Sequence, residues 1–223
     1  MRVLGLIPAR GGSKGLRRKN VLSIAGKPLI AWTIEAALAA GSIDRVVVTT
    51  DDAEIAEVAA AHGAEVPFRR PAELARDETP GIEPVLHAIE VLPGYEMVVL
   101  LQPTSPLRMA HDIEGAVAMA GSGAMVVSVT EAPHAGWIFP MAPDGRLGIG
   151  PNQPAARRQD MPKQYMLNGA IYVARCDALC ASRRFLDDGT LGYVMPVERS
   201  VDIDGPSDWR LAELLLADRA RLA

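Results

Sequence analysis

The sequence predicts an α/β fold: a doubly wound, mostly parallel sheet with helices on both faces and a small inserted segment at about residues 131–167 that serves dimerisation or the substrate. Three observations carry this. Short apolar runs without polar alternation recur along the chain, as in strands buried on both faces. They alternate with segments of helical periodicity, which is the βαβ pattern. The alternation breaks only where prolines crowd between Glu131 and Leu167. With 223 residues and 49% hydrophobic side chains, one domain over 1–223 is expected, long enough for a real core and too short for two full enzymatic domains.

The first run, Arg2 to Pro8, reads as a buried strand ending abruptly in the loop Ala9-Arg10-Gly11-Gly12-Ser13-Lys14-Gly15. A helix is expected from about Pro28, because proline suits a first helical turn. A strand over Arg45 to Thr50 and a helix through Ile55, Val58 and Ala59 follow. Val85, Ile89 and Leu92 mark a third helix, Met97 to Leu101 a buried strand, the stretch from about His111 a helix, and Ala124 to Val129 another strand. Inside the insertion, Asp144-Gly145 signals a turn between short strands. Beyond it come a strand over Ala170 to Ala174, a helical segment near Ala178, a strand from about Tyr193 to Val197 and a terminal helix from about Ser207.

Bulk properties exclude several classes. No run approaches the roughly 18 apolar residues of a membrane helix, and the apolar start is too short for a secretory segment before Arg10, so a cytoplasmic protein without a membrane partner is expected. A formal charge of -4 leaves no general basic face for nucleic acid. Cys176 and Cys180 have no second ligand pair to complete a zinc site and read as buried thiols. His62, His87, His111 and His134 are scattered and are assigned no catalytic role.

In a parallel sheet the ligand lies beyond the carboxyl ends of the strands, which is where Pro8 to Asn20 falls. Gly11, Gly12 and Gly15 permit close backbone approach, so amides can face phosphate oxygens, while Arg10, Lys14, Arg17, Arg18 and Lys19 supply charge. The string lacks the Gly-Lys-Ser/Thr closure of a P-loop and the glycine spacing of a dinucleotide fingerprint. By itself such a loop is more often a surface turn than a phosphate cradle; its place after the first buried strand favours a phosphate site.

Ile7-Pro8-Ala9-Arg10-Gly11-Gly12-Ser13-Lys14-Gly15 followed by Lys19-Asn20 resembles the opening signature of the CMP-sialic acid synthetases (acylneuraminate cytidylyltransferases). Further blocks appear in family order: Arg70-Pro71-Ala72-Glu73-Leu74-Ala75, Leu101-Gln102-Pro103-Thr104-Ser105-Pro106-Leu107-Arg108, Arg158-Gln159, Asn168-Gly169-Ala170-Ile171-Tyr172 and Ser200-Val201-Asp202-Ile203-Asp204. The resemblance implies a Rossmann-like nucleotidyltransferase that moves CMP from CTP to an acidic sugar. It implies that Ala9, Arg10, Gly11, Gly12, Ser13, Lys14, Lys19, Asn20, Arg70 and Thr79 bind the nucleotide, with Arg10 and Lys19 nearest the phosphates, where negative charge grows in the transition state. It implies that Gln102, Arg158, Gln159, Asn168 and Tyr172 serve the sugar, Arg158 gripping its carboxylate in two places. Without the motif, Tyr172 reads equally as a core residue and Gln102 as a turn residue.

Asp202 and Asp204 stand two apart on an extended backbone, so both side chains face one way while Ile203 faces the other. Hard oxygen ligands suit Mg²⁺; Asp204 is expected as the main ligand, with Asp202 as second ligand or as the group that helps deprotonate the sugar hydroxyl. On spacing alone, Asp-x-Asp is more often a solvated loop than a metal site; its place at the family position after Arg199-Ser200 favours the metal. Family members commonly dimerise with one subunit closing the other's site, which implies a homodimer, with Phe185 reaching across. The chain has Pro133-His134-Ala135-Gly136-Trp137-Ile138 where relatives using N-acetylneuraminate often carry a Lys after a His-Pro pair. Asp77 to Ile82 lacks the serine pair some relatives place near cytosine. Legionaminate, pseudaminate, another ulosonate or a phosphonate therefore stand beside sialic acid as acceptors, and a non-catalytic nucleotide binder is the alternative class. The joint presence of Arg10, Lys19, Asp202 and Asp204 favours turnover.

Overall fold

Both faces of the first strand, β1 (Val3–Pro8), are apolar, and this sets the layering. Val3 and Ile7 join one core with Ile30, Ile34, Val99 and Ile113, while Leu4 and Leu6 join another with Val85, Val98 and Leu179. A strand buried on both sides must lie inside the sheet, and β1 pairs in parallel with β4 (Arg45–Thr49) and with β5 (Met97–Leu101). The computed structural model describes residues 1–12, 15–121, 123–133, 138–148 and 162–222.

Along the chain, a short hairpin of β2 (Ser23–Ile24) and β3 (Lys27–Pro28) leads into α1 (Leu29–Leu38). After β4 comes α2 (Ala53–Ala61), started by the Asp52 side chain, which accepts from the Ile55 amide at 3.0 Å. Then follow α3 (Glu83–Val91), β5, α4 (Ala110–Ala120), β6 (Val126–Ala132), β7 (Gln164–Arg175), α5 (Cys176–Ser182), β8 (Leu191–Val194) and α6 (Pro206–Leu222). The main sheet has the order β4-β1-β5-β7-β6-β8. Only β7 opposes its neighbours: it is antiparallel to β5 and to β6, while β6 and β8 run parallel. Helices α1, α2 and α4 cover one face, and α3 and α5 the other. A third small core joins Ile24, Leu29, Leu107 and Ile203 to Ala212 and Leu216 of α6.

The doubly wound, mostly parallel expectation fits this sheet, and several local expectations need correction. The strand expected at 124–129 runs over 126–132, and the one expected at 170–174 extends back to Gln164, because Thr130 to Ala132 pair with Met166 to Gln164 in a projecting arm. Residues 131–132 and 164–167, expected within the irregular segment, are thus strand residues. Asp144-Gly145 does form a turn, with Gly145 at φ 84°, but its flanks make a single bridge, Met141 to Leu147, rather than strands. The last strand covers 191–194, not 193–197: after the Met195 amide bonds the Val129 carbonyl, Pro196 has no N–H to continue the ladder, and a 3-10 turn over Val197–Arg199 follows. Cys176 is buried as expected, whereas Cys180 is exposed. No described helix is long and apolar enough to cross a membrane.

Candidate active site

A cavity of about 620 Å³ opens beyond the carboxyl ends of β1 and β5. The strand ends bring Pro8, Leu100 and Gln102 to its floor, β7 brings Tyr172, and the loop after β1 brings Arg10, Lys19 and Asn20. Arg70, which follows the bridge that Thr50 and Arg69 add beyond β4, faces the same space. Sequence motifs far apart in the chain thus meet at one end of the sheet.

The cations are held in different ways. Arg70 is 4% exposed; its guanidinium donates to the Thr49 hydroxyl at 3.3 Å and to the Thr49 carbonyl. Burial pushes it down to about 10, partly offset by Asp51, while nearby Arg10 pushes the same way as burial. Lys19, on the 3-10 turn Lys19–Val21, donates to the Ile203 carbonyl and lies 3.6 Å from an Asp204 carboxylate oxygen. Arg10 forms an ion pair with Asp77 at 2.6 Å, each side chain about one-third exposed. Asn20 donates to the Arg10 carbonyl at 3.2 Å, and its own Oδ1 is buried with no partner among the described residues. A buried acceptor left in this state costs about 1–3 kcal/mol unless a ligand donor reaches it.

The glycine loop differs from a simple amide cradle. The Gly11 amide is spent on Asp51 Oδ1 at 3.1 Å, and a Cβ there would come within 2.7 Å of Asp52. A Cβ at Gly15 would run into the Asp204 backbone carbonyl, so this glycine lets the loop pass against the segment that carries Asp202 and Asp204. Gly12 has open space around it. Ala9 is a core residue whose amide bonds the Thr49 carbonyl. Arg18, expected to serve phosphate, is turned away: it adopts φ 58° before the 3-10 turn and pairs with Glu54 and Asp52. Arg17 is exposed and does not line the cavity. Ser13, Lys14, His134, Arg158 and Gln159 lie outside the described residues.

Beside Lys19, Ile203 is fully buried between the aspartates, which fits the expected alternation. Asp204 lines the cavity with its side chain 86% exposed. Asp202 is half-buried, its Oδ1 has no hydrogen-bond partner among the described residues, and burial raises its carboxyl above the ordinary value, with Thr104 and Lys19 pulling the other way and Asp204 adding to the rise. Tyr172 stacks at a tilt on Phe185, ring centroids 5.4 Å apart, and burial beside Asp202 raises its hydroxyl pKa. Phe185 therefore lines the cavity of its own chain. Thr79 lines it too, with its hydroxyl donated to the Glu73 carbonyl at 2.8 Å.

Asn168 is placed differently from the expectation. It is 4% exposed, and its amide group is consumed: Oδ1 accepts from Ser128 Oγ at 2.6 Å and the Ala170 amide at 3.2 Å, while Nδ2 donates to Ser200 Oγ at 2.9 Å and to Met195 Sδ. It braces the segment leading to Asp202 from behind instead of facing the cavity. Sequence reasoning missed Arg76 as a lining residue and Asp77 as the partner of Arg10. The only signal was their adjacency after the Arg70 block.

The cytidylyltransferase family model matches residues 4–132. The chain is 37% identical to an N-acylneuraminate cytidylyltransferase of Escherichia coli over 95% of its own length, and it spans about half, 51%, of that relative. It is also 37% identical to the CMP-N,N'-diacetyllegionaminic acid synthase of Legionella pneumophila, covering 97% of both chains. A solved CMP:2-keto-3-deoxy-manno-octonic acid synthetase, complexed with CTP, superposes with a TM-score of 0.77 over 98% of this chain and 100% of the other; at 18% identity the likeness is one of fold. With more than half of its length in the family model and a relative matched end to end, the chain belongs to the cytidylyltransferase family, with the CMP-sialic acid synthetases.

Proposed function

We propose that this enzyme transfers CMP from CTP to the anomeric hydroxyl of a sialic-acid-type nonulosonate, releasing pyrophosphate. The observation that carries this reading is the gathering of charged groups at one cavity: Arg10, Lys19, Arg70 and Asp204 line it, Lys19 stands 3.6 Å from Asp204, and Asp202 lies two residues away on the same segment. The cations suit a triphosphate, and the orphan Asn20 Oδ1 suits a hydroxyl or amino donor of the nucleoside. The acceptor hydroxyl attacks the α-phosphorus in line, and pyrophosphate leaves toward Arg10 and Lys19, which meet charge as it develops. Asp202, raised by burial, stands as the group that takes the hydroxyl proton.

The donor set also fits magnesium. Asp204 offers an exposed carboxylate and Asp202 an unpartnered buried oxygen, and magnesium characteristically uses one or two carboxylates with substrate phosphates completing its shell. Asp204 would hold the ion, with Asp202 as second ligand in the arrangement where it does not serve as the base, and the ion when bound would neutralise phosphate charge. A CTP-consuming reaction of this kind belongs in the cytoplasm. The apolar side chains Tyr165, Met166 and Leu167, exposed on the projecting β6–β7 arm, support a homodimer formed through that arm. The single domain over 1–223, with the arm's tip as its insertion, is part of the same reading.

A second acceptor has specific support: the relative matched over 97% of both chains is named for N,N'-diacetyllegionaminic acid. Pyrophosphate release with CTP and Mg²⁺ is therefore to be measured across sialic, legionaminic and pseudaminic acids and shorter ulosonates, with ATP, GTP and UTP as nucleotide controls. Release with CTP and one nonulosonate is expected. CTP binding without release across the panel would leave a non-catalytic binder, and hydrolysis of CTP at the same rate without acceptor would make the protein a hydrolase.

A further inference from the structure

The antiparallel ladder between β5 and β7 ends at the pair Leu101 and Ile171. The next position, Gln102 opposite Ala170, is joined by a side chain instead. Arg108 Nη1 donates to the Gln102 carbonyl at 3.3 Å and to the Ala170 carbonyl at 2.9 Å. This guanidinium is 1% exposed, and its Nε and Nη2 have no hydrogen-bond partner among the described residues. Its nearest counter-charge is Asp112, whose oxygens already accept from both Arg199 donors and the Met109 amide. Arg108 thus sits as a buried cation tied to two carbonyls and to no carboxylate.

Such an arrangement is poorly explained by stability. Burying a charge with incomplete pairing is costly, and replacing it by an apolar side chain of similar volume is often neutral or stabilising. Burial pushes the Arg108 guanidinium down to about 9, the same cost seen from the proton's side. What the contact does achieve is geometric. Gly169, at φ 74°, precedes Ala170, and its missing Cβ leaves room for two polar atoms: Gln102 Oε1 and Asp202 Oδ2 stand 3.3 and 3.4 Å from where that Cβ would be. One nitrogen therefore ties the Gln102 carbonyl to the carbonyl of Ala170, the residue that follows Gly169. The Gln102 carbonyl is further pinned by the Thr33 hydroxyl at 3.4 Å.

We propose that Arg108 is a positioning residue for the acceptor, holding Gln102 and the Gly169 turn in register so that the Gln102 side chain and the Asp202 carboxylate converge over Gly169. This rests on the transfer reading given above. Arg108 reaches neither Arg10 nor Lys19, so its loss acts on the acceptor and spares CTP.

The test compares Arg108→Met and Arg108→Lys with wild type. Melting temperature, CTP affinity by calorimetry without acceptor, steady-state kinetics with acceptor, and amide exchange at Gly169 and Ala170 are measured. Methionine fills the space without a charge, while lysine keeps a charge that bridges the two carbonyls poorly. Expected is a methionine variant that melts at or above wild type, binds CTP within about twofold, exchanges Gly169 and Ala170 faster, and loses about tenfold to a hundredfold in acceptor kcat/KM, the scale of an ångström's misplacement. Lysine is expected to retain more turnover than methionine despite lower stability. A merely structural residue would give the opposite order, activity following melting temperature; that result, failure of the methionine variant to fold, or wild-type acceptor kinetics in it would overturn the proposal. Should wild type itself release no pyrophosphate with any acceptor, the transfer reading falls and the exchange comparison decides alone: faster exchange in the methionine variant upholds the register role, and unchanged exchange refutes it.

Discussion

Gly15→Ala is a small change with a large expected effect. The added methyl would occupy the space of the Asp204 carbonyl, and a backbone oxygen cannot rotate aside as a flexible side chain does. Either the loop after β1 or the Asp202–Asp204 segment must move, and Lys19, four residues beyond Gly15, is bonded to the neighbouring Ile203 carbonyl and shares the strain. Overpacking of this kind costs about 1–3 kcal/mol. For a chain of this size each kcal/mol lowers the melting temperature by about 2–4 °C, so a fall of about 2–12 °C is expected. Turnover is expected to fall further than stability implies, up to about a hundredfold, because Lys19 and Asp204 are displaced relative to each other. Gly12→Ala is the matched control: the same loop, the same substitution, and open space around the new methyl, so a change within about 0.5 kcal/mol is expected. Differential scanning calorimetry and pyrophosphate release read the two effects. If the two alanine variants melt and turn over alike, the close passage of Gly15 against Asp204 is refuted.

Burial raises the Asp202 carboxyl above its ordinary value. The folded form then binds that proton more tightly than the unfolded chain, so the stability it lends is full at low pH and lost as pH rises through the raised value. Asp202→Asn, in metal-free buffer, is expected to melt above wild type near neutrality, with the advantage shrinking toward about pH 4, while turnover collapses; a variant that melts lower at neutral pH contradicts this. Arg70→Lys cannot reproduce both bonds to Thr49 and is expected to lose about 1–3 kcal/mol of stability and raise the CTP Michaelis constant, seen by melting and kinetics together. Asp77→Asn frees Arg10 from a partly exposed carboxylate; tighter CTP binding, at most about fivefold, is expected at low salt and should shrink in high salt by calorimetric titration.

The strands β1, β4 and β5 were legible because they are apolar on both faces, a pattern that survives without knowledge of neighbours. The arm of β6 and β7 was not, since Tyr165, Met166 and Leu167 are apolar yet exposed and break the alternation that marks a solvated strand. At the site, motifs brought Arg10, Lys19, Asn20, Arg70, Gln102 and Tyr172 to one cavity. A motif marks a residue as present without saying which way it faces. Asn168 and Tyr172 belong to the same block, and one is locked to Ser128 and Ser200 while the other faces the cavity. Asp77, Phe185 and Arg108 earn their places from pairings across the fold, which spacing along a chain does not encode.

The reversed strand β7 has a consequence for how the molecule comes together. Everything before Gln164 can complete only the β4-β1-β5 portion of the sheet, with β6 still lacking the partner that links it to β5. Until β7 arrives, β5 offers a row of unpaired amides and carbonyls along five buried residues, Met97-Val98-Val99-Leu100-Leu101. A fully apolar open edge is a template for pairing with other chains. Fragments that stop short of Arg175 are therefore expected to aggregate even though they carry the glycine loop and most of the cations. Nascent chains cross the same hazard during synthesis, between the emergence of β5 and that of β7.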